Sequence, residues 1–200
     1  MGRSFEGTKN CQLPDGDKIE VLLYSRKTDL LLGQLTLLNT IIINKSLFER
    51  YSKTVQNYVL FHEYGHKKIH PLFSILLVLL LIPALLSLLA IVPTVLLLAH
   101  SILTSNLQQI SALTFLLAGE LIAIGLFMSA CWLNELLAEF YAFKKLGLEN
   151  VKQAWAEIKQ KHLKQNFLSE LFGKILIRLT HPPHWLTLKT YASVSKTKKA

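Results

Sequence analysis

Two hundred residues suit one domain, or a small domain plus membrane segments, and 51% of them are hydrophobic. The net charge of +9 is not spread along the chain: no Lys or Arg falls between Ile69 and Phe143, so all 22 basic residues lie in the two flanks, 10 before that window and 12 after it. A basic nucleic-acid-binding protein would not carry such a middle, so no nucleic-acid partner is expected; a lipid bilayer accounts for the apolar centre and the basic flanks together.

In chain order, residues 1–17 ("MGRSFEGTKNCQLPDGD") are polar and read as a flexible leader with no apolar h-region, so no signal peptide is expected. Glu6 stands where a myristoylation motif needs Ser or Thr. Cys11 and Cys131 fall in different environments and predict no disulfide. "KIEVLLYS" (Lys18–Ser25) and "LTLLNTIIIN" (Leu35–Asn44) predict two strands, with "RKTD" and Gly33 as turn material between them. Ser46 is a candidate cap for a helix over "LFERYSKTVQNYVLFHEYGHKK", interrupted near Tyr51 and Ser52. Tyr58, His62 and His66, with Val55 and Val59, lie toward one face of that helix. Residues 18–70 thus make a first cytoplasmic part.

Leu72–Ala99 is an uncharged run of 28 residues, longer than the roughly 20 that cross a hydrocarbon core as a helix. Pro83 and Pro93 kink it or mark its end. The polar interval "HSILTSNLQQ" leads to a second span, Ile110–Leu133, with Trp132 at its interfacial end. The two spans form a transmembrane hairpin over 71–133. Basic residues outside both outer ends, and none in the connecting loop, put both termini in the cytoplasm. The chain is expected to be an integral, multi-pass membrane protein; a buried hairpin in a soluble fold competes, and the span lengths count against it. Glu120, costly in mid-span, is assigned to helix packing with Gly119 and Ala123, four residues apart. His70 and His100 border the first span as interfacial residues.

Beyond the hairpin, 134–200 form a second cytoplasmic part: "NELLAEFYAFKKLG" reads as a helix stopped by Gly147, Asn150–Leu179 as an amphipathic helix, "THPPHW" as a proline-enforced turn, and "KTKKA" as a basic tail in water or at lipid headgroups. His162 and His184 have no evident partner.

"FHEYGHKK" (61–68) carries the chemistry. Residues four apart share a helical face, so His62 and His66 offer two imidazoles to one ion. Glu63, one position on, is placed to take a proton from a water on that ion, the arrangement of zinc hydrolysis. Gly65 removes bulk beside the second ligand, as close packing against a substrate strand or the ion would require. A catalytic zinc needs a third protein ligand and an open fourth position. Glu135 and Glu139, four apart just after the second span, supply it: one carboxylate for the metal, the other for its outer shell.

A strand, a helix with His-Glu-x-x-His, a membrane hairpin and then "ELLAEFYAFKKLG" resemble the HtpX-like and CAAX-prenyl-protease-like integral membrane zinc metallopeptidases, the gluzincin type. The resemblance runs over roughly residues 35–190. It implies a mainly α fold with a small N-terminal β element, a zincin-like metallopeptidase core built from 18–70 and 134–190 and interrupted by the two-helix hairpin. It implies one zinc per chain, with His62, His66 and Glu135 as ligands and Glu139, where the family usually has Asp, orienting a ligand. Taking Glu139 as the ligand instead leaves Phe143 at the acidic position. "LTHPPHW" resembles the family's Ser/Thr-His-Pro segment and implies that His181 supports the oxyanion; Thr187 stands where an Arg is usual, and Lys189 is off that spacing. "NTIIINKSLF" resembles the strand before the motif helix, an edge that could take a peptide as an added strand. The implied activity is a membrane-embedded zinc endopeptidase with Glu63 as general base, acting on a peptide or membrane-protein substrate. The additional N-terminal spans of many relatives do not occur here. An intramembrane site-2-type protease would need an Asp ligand, and Asp15, Asp17 and Asp29 all precede the motif. A catalytically inactive membrane adaptor is the reading from another class. Oligomeric state is not legible from the sequence.

Overall fold

The structure, a computed structural model, describes residues 4–14, 16–25, 32–36, 39–69, 71–162 and 181–197. It is mostly helical, with a small N-terminal sheet and two apolar helices, and it divides into two compact units, residues 1–70 with 134–200 and residues 71–133.

The first unit opens on a four-stranded sheet of β1 (Ser4–Gln12), β2 (Lys18–Ser25), β3 (Gly33–Leu35) and β4 (Ile41–Asn44) in the order β1-β2-β4-β3. Two expectations are corrected here. Residues 4–12 of the expected leader are a strand, antiparallel to β2 from Ser4↔Ser25 to Gln12↔Lys18. The turn at 13–17 is closed by Leu13 N–H donating to Asp17 O (2.8 Å), with Gly16 at φ +92°. The expected strand 35–44 is a hairpin instead. Thr36 and Thr40 close it through Thr36 N–H to Thr40 O (2.9 Å), and Asn39 takes φ 60°, a left-handed conformation that Asn tolerates best after Gly. β4 therefore lies inside the sheet, parallel to β2 and antiparallel to β3, and has no edge to offer; β3 is the edge on that side.

Alternation along β2 buries Ile19 and Val21, which join Ile41 and Ile43 of β4 under the helices. Asn44 rather than Ser46 stands at the N-cap of the short α1 (Lys45–Phe48), and Ser46 donates to its side chain at 2.9 Å. Ser52 caps α2 (Lys53–Lys68), accepting from Val55 N–H at 3.4 Å. The same serine donates N–H and O–H to Glu157 of α5 (Leu148–His162), at 3.0 and 2.5 Å, which ties α5 to the start of α2. Val55 and Phe61 of α2 meet Phe143, Val151 and Ala154 in one apolar cluster; each fully buried large side chain there contributes about 1.5–3 kcal/mol.

The second unit holds α3 (Pro71–Leu103) and α4 (Leu107–Leu146) as far as Leu133. α3 runs through Pro83 and Pro93 without ending at either. α4 is one helix through to Leu146, so the expected second span and the "NELLAEFYAFKKL" helix are continuous; Gly147, φ +81°, stops it. Both helices are long and apolar enough to cross a membrane, and only 6% of each apolar window is buried, so neither serves as a core helix among the described residues. A methyl group added at Gly119 would meet nothing within 4 Å among the described residues. Glu120 is buried at 5% exposure against Thr94, whose hydroxyl donates to Glu120 Oε1 at 2.9 Å. After Pro182 and Pro183 comes α6 (His184–Thr197), and the His184 ring packs on Trp155 at 4.2 Å. The expected positions Asp15, Asp29, His70, 163–180 and 198–200 lie outside the described residues.

Thr94→Val removes the donor from a buried carboxyl and is expected to lower the unfolding free energy in detergent by about 1–3 kcal/mol. Glu120→Gln keeps an acceptor at Oε1 and is expected to cost less. Thermal unfolding of the three proteins checks the order.

Candidate metal centre

Two four-residue ladders face each other. α2 presents Tyr58, His62 and His66, and the antiparallel part of α4 presents Glu139 and Glu135. The helices can approach because Gly65 has no side chain: a Cβ there would lie 2.9 Å from both Cα and O of Ala138 and 3.0 Å from Tyr141 Cβ. Gly65 thus makes room for the backbone of α4, rather than for an ion or a substrate strand as the sequence had suggested. Ala138 and Ala142 are fully buried at the same contact.

His62 Nε2 and His66 Nε2 stand 3.2 Å apart, with the rings edge to face at 89°. Glu135 spans the pair, Oε2 at 3.4 Å from His62 Nε2 and Oε1 at 3.5 Å from His66 Nε2. A tetrahedral ion with bonds of 2.0–2.1 Å separates its ligand atoms by about 3.3 Å; the two imidazole nitrogens stand at that spacing, and each has one Glu135 oxygen close to it. Two nitrogens and one carboxylate oxygen also make up a three-ligand set that leaves a fourth position open. His62, His66 and Glu135 are a group that could hold a metal ion.

Charge supports the same centre. Burial alone would lower His62, but the hydrogen bond to Glu135 and the nearby Glu139, Glu135 and Glu63 carboxylates carry it up to about 10. Burial and the neighbouring His62 hold His66 down to about 4. Burial would raise Glu135, yet His62, His181 and His66 keep it at about 2, an anion at any neutral pH. The cluster is thus arranged around one positive charge beside a fixed carboxylate.

Glu63 is 8% exposed, and burial pushes its carboxyl up to about 7, opposed by His62 and a hydrogen bond from the Leu35 backbone. That bond ties the carboxyl to edge strand β3, where Gly33 makes room: a Cβ on it would meet Val59 and Ile43 at 3.0 and 2.8 Å. Glu139 Oε1 lies 3.6 Å from His62 Nδ1, so this carboxylate faces the ring nitrogen that is turned away from His66 and Glu135. His181 is at the rim, its side chain 47% exposed and Nε2 3.2 Å from Glu135 Oε2. It is not among the donors that lie within 4.8 Å of one another. Thr187, at the expected Arg position, is buried, and Lys189 is exposed.

All six residues singled out in the sequence therefore meet in one place. Sequence reasoning missed Asn134, whose side chain hydrogen-bonds His66, and Trp155. Asn134 lies next to Glu135 and was within reach; Trp155 comes from another helix, and no spacing signals it.

No protein-family model, no curated protein and no solved structure matches this chain.

Gly65→Ala gains up to about 1 kcal/mol of helix propensity but forces a methyl into the α4 backbone, and a net loss of about 1–2 kcal/mol is expected. Gly119→Ala and Gly125→Ala, which meet nothing within 4 Å, are expected to be neutral or stabilising. Thermal unfolding of the three variants tests whether the α2–α4 contact is as tight as described.

Proposed function

We propose that this chain is a membrane-embedded, zinc-dependent endopeptidase with a zincin-like core, multi-pass, its termini and active site at the cytoplasmic edge. The observation that carries it is the meeting of His62, His66 and Glu135, one ligand atom from each lying within 4.8 Å of the others, with a protonatable Glu63 beside them. The resemblance of both motifs to the HtpX-like and CAAX-prenyl-protease-like peptidases supports the same reading. The two exposed apolar helices and the basic flanks support insertion in a bilayer, with the orientation following the basic residues.

His62, His66 and Glu135 would hold the zinc, one per chain, which would supply polarisation of a scissile carbonyl and a lowered pKa for water. Glu63, poised near neutrality, takes the proton of the attacking water and later delivers it to the leaving amine nitrogen. Glu139 orients His62 through Nδ1. His181, half exposed at the rim, donates a hydrogen bond to the oxygen on which charge develops. Substrates are peptides or membrane-protein segments in extended form, and β3 is the strand edge nearest Glu63.

Detergent-purified protein is expected to carry about one zinc per chain by elemental analysis, and Glu135→Ala to lose it. Glu63→Gln is expected to keep the zinc and to lose about 10²-fold or more in peptide hydrolysis. A folded, unchelated wild-type protein without zinc would sink the enzyme reading. Function undiminished in Glu63→Gln would favour a membrane adaptor.

A further inference from the structure

Tyr58 extends the ligand ladder of α2 one turn beyond His62. Its ring is 8% exposed, and its hydroxyl donates to Glu139 Oε1 at 2.5 Å. Trp155 of α5, edge to face against Phe143, donates its indole N–H to the Tyr58 oxygen at 2.9 Å. An indole N–H can only donate, so the Tyr58 oxygen accepts from Trp155 and gives its own single proton to Glu139. Three helices thus converge on one carboxylate, whose Oε1 lies 3.6 Å from His62 Nδ1. Glu139 Oε2 and His62 Nδ1 are both buried and have no hydrogen-bond partner of their own. They belong to facing side chains, so a small rotation about the pinned Oε1 pairs them.

We infer that Tyr58 and Trp155 are positioning residues of the metal centre: they pin the Glu139 carboxylate beside His62 Nδ1, which keeps the proton on Nδ1 and leaves the Nε2 lone pair for the ion. This rests on the metal-site reading above. Glutamate has three side-chain torsions, and the Tyr58 hydroxyl with the Trp155 indole N–H holds Glu139 in the rotamer that faces His62. Tyr58 keeps its ring in the core whether or not this is so; the hydroxyl alone carries the inference.

The full chain in detergent allows a direct test. Zinc affinity is read by competition with a chromophoric chelator, coordination geometry by the visible spectrum of the Co²⁺-loaded protein, and fold by thermal unfolding of the metal-free form. Tyr58→Phe is expected to weaken zinc by about 10–100-fold, as loss of an outer-shell partner does, and to alter the Co²⁺ spectrum. Trp155→Phe is expected to weaken zinc less, and the double variant to lose less than the product of the two losses, because Trp155 acts through the Tyr58 oxygen as well as on Glu139 itself. Should Trp155→Phe not fold, Tyr58→Phe alone decides. Tyr58→Phe binding zinc within about twofold of wild type, or two losses that simply multiply, would overturn the positioning role. Wild-type binding with Tyr58→Phe unchanged overturns this inference and leaves the metal site standing; wild-type protein that binds no zinc overturns both.

Discussion

The contact on which the rest depends is the one between α2 and α4 at Gly65 and Ala138. Helices faced with ordinary side chains pack 8–10 Å apart at the axis, as a rough rule. Donor atoms on facing helices then meet only if both backbones are bare where they cross. Gly65, Ala138 and Ala142 provide that. Closing the helices there brings His62 and His66 against Glu135, and Tyr58, one turn before His62, against Glu139. Moved apart by a methyl group, the two ladders would no longer share a centre.

Five titratable side chains, His62, Glu63, His66, Glu135 and Glu139, are largely buried along this one seam. Burying so many is costly to folding unless each finds a counter-charge or a ligand, and such clusters concentrate where chemistry is done. Two of these carboxylates are driven in opposite directions. Glu135, set among three imidazoles, is held at about 2, while Glu63, buried with fewer cationic neighbours, rises to about 7. One environment makes a permanent anion suited to an ion; the other makes a group that can take and return a proton near neutral pH. The sheet contributes through Leu35, which ties Glu63 to β3, and α5 contributes through Trp155.

The second unit follows another physics. α3 and the first part of α4 expose leucines and phenylalanines such as Leu89 at 76% and Phe115 at 85%. Between them a buried polar pair, Thr94 and Glu120, is hydrogen-bonded. Apolar surface on this scale is unfavourable in water, whereas the first unit buries its own apolar residues between sheet and helices.

By itself the sequence determined what depends on composition and on local period: two long apolar helices between basic flanks, the helix that carries His62, Glu63 and His66, and the pairing of Glu135 with Glu139 at one turn. Side chains at four-residue spacing share a face whatever the fold around them. Strand boundaries were less legible, because β propensity does not mark a hairpin: Leu35–Asn44 is rich in Leu, Ile and Thr, and Asn39, in a left-handed conformation, lies where the two strands part. The leader became β1 because a polar edge strand needs no hydrophobic pattern to pair with β2. Tertiary structure alone decided which backbone Gly65 admits, that Glu139 faces His62 Nδ1, and that Trp155, 97 residues from Tyr58, reaches its hydroxyl. Those are contacts between helices, and the distance across a helix pair is set by the side chains both helices leave out.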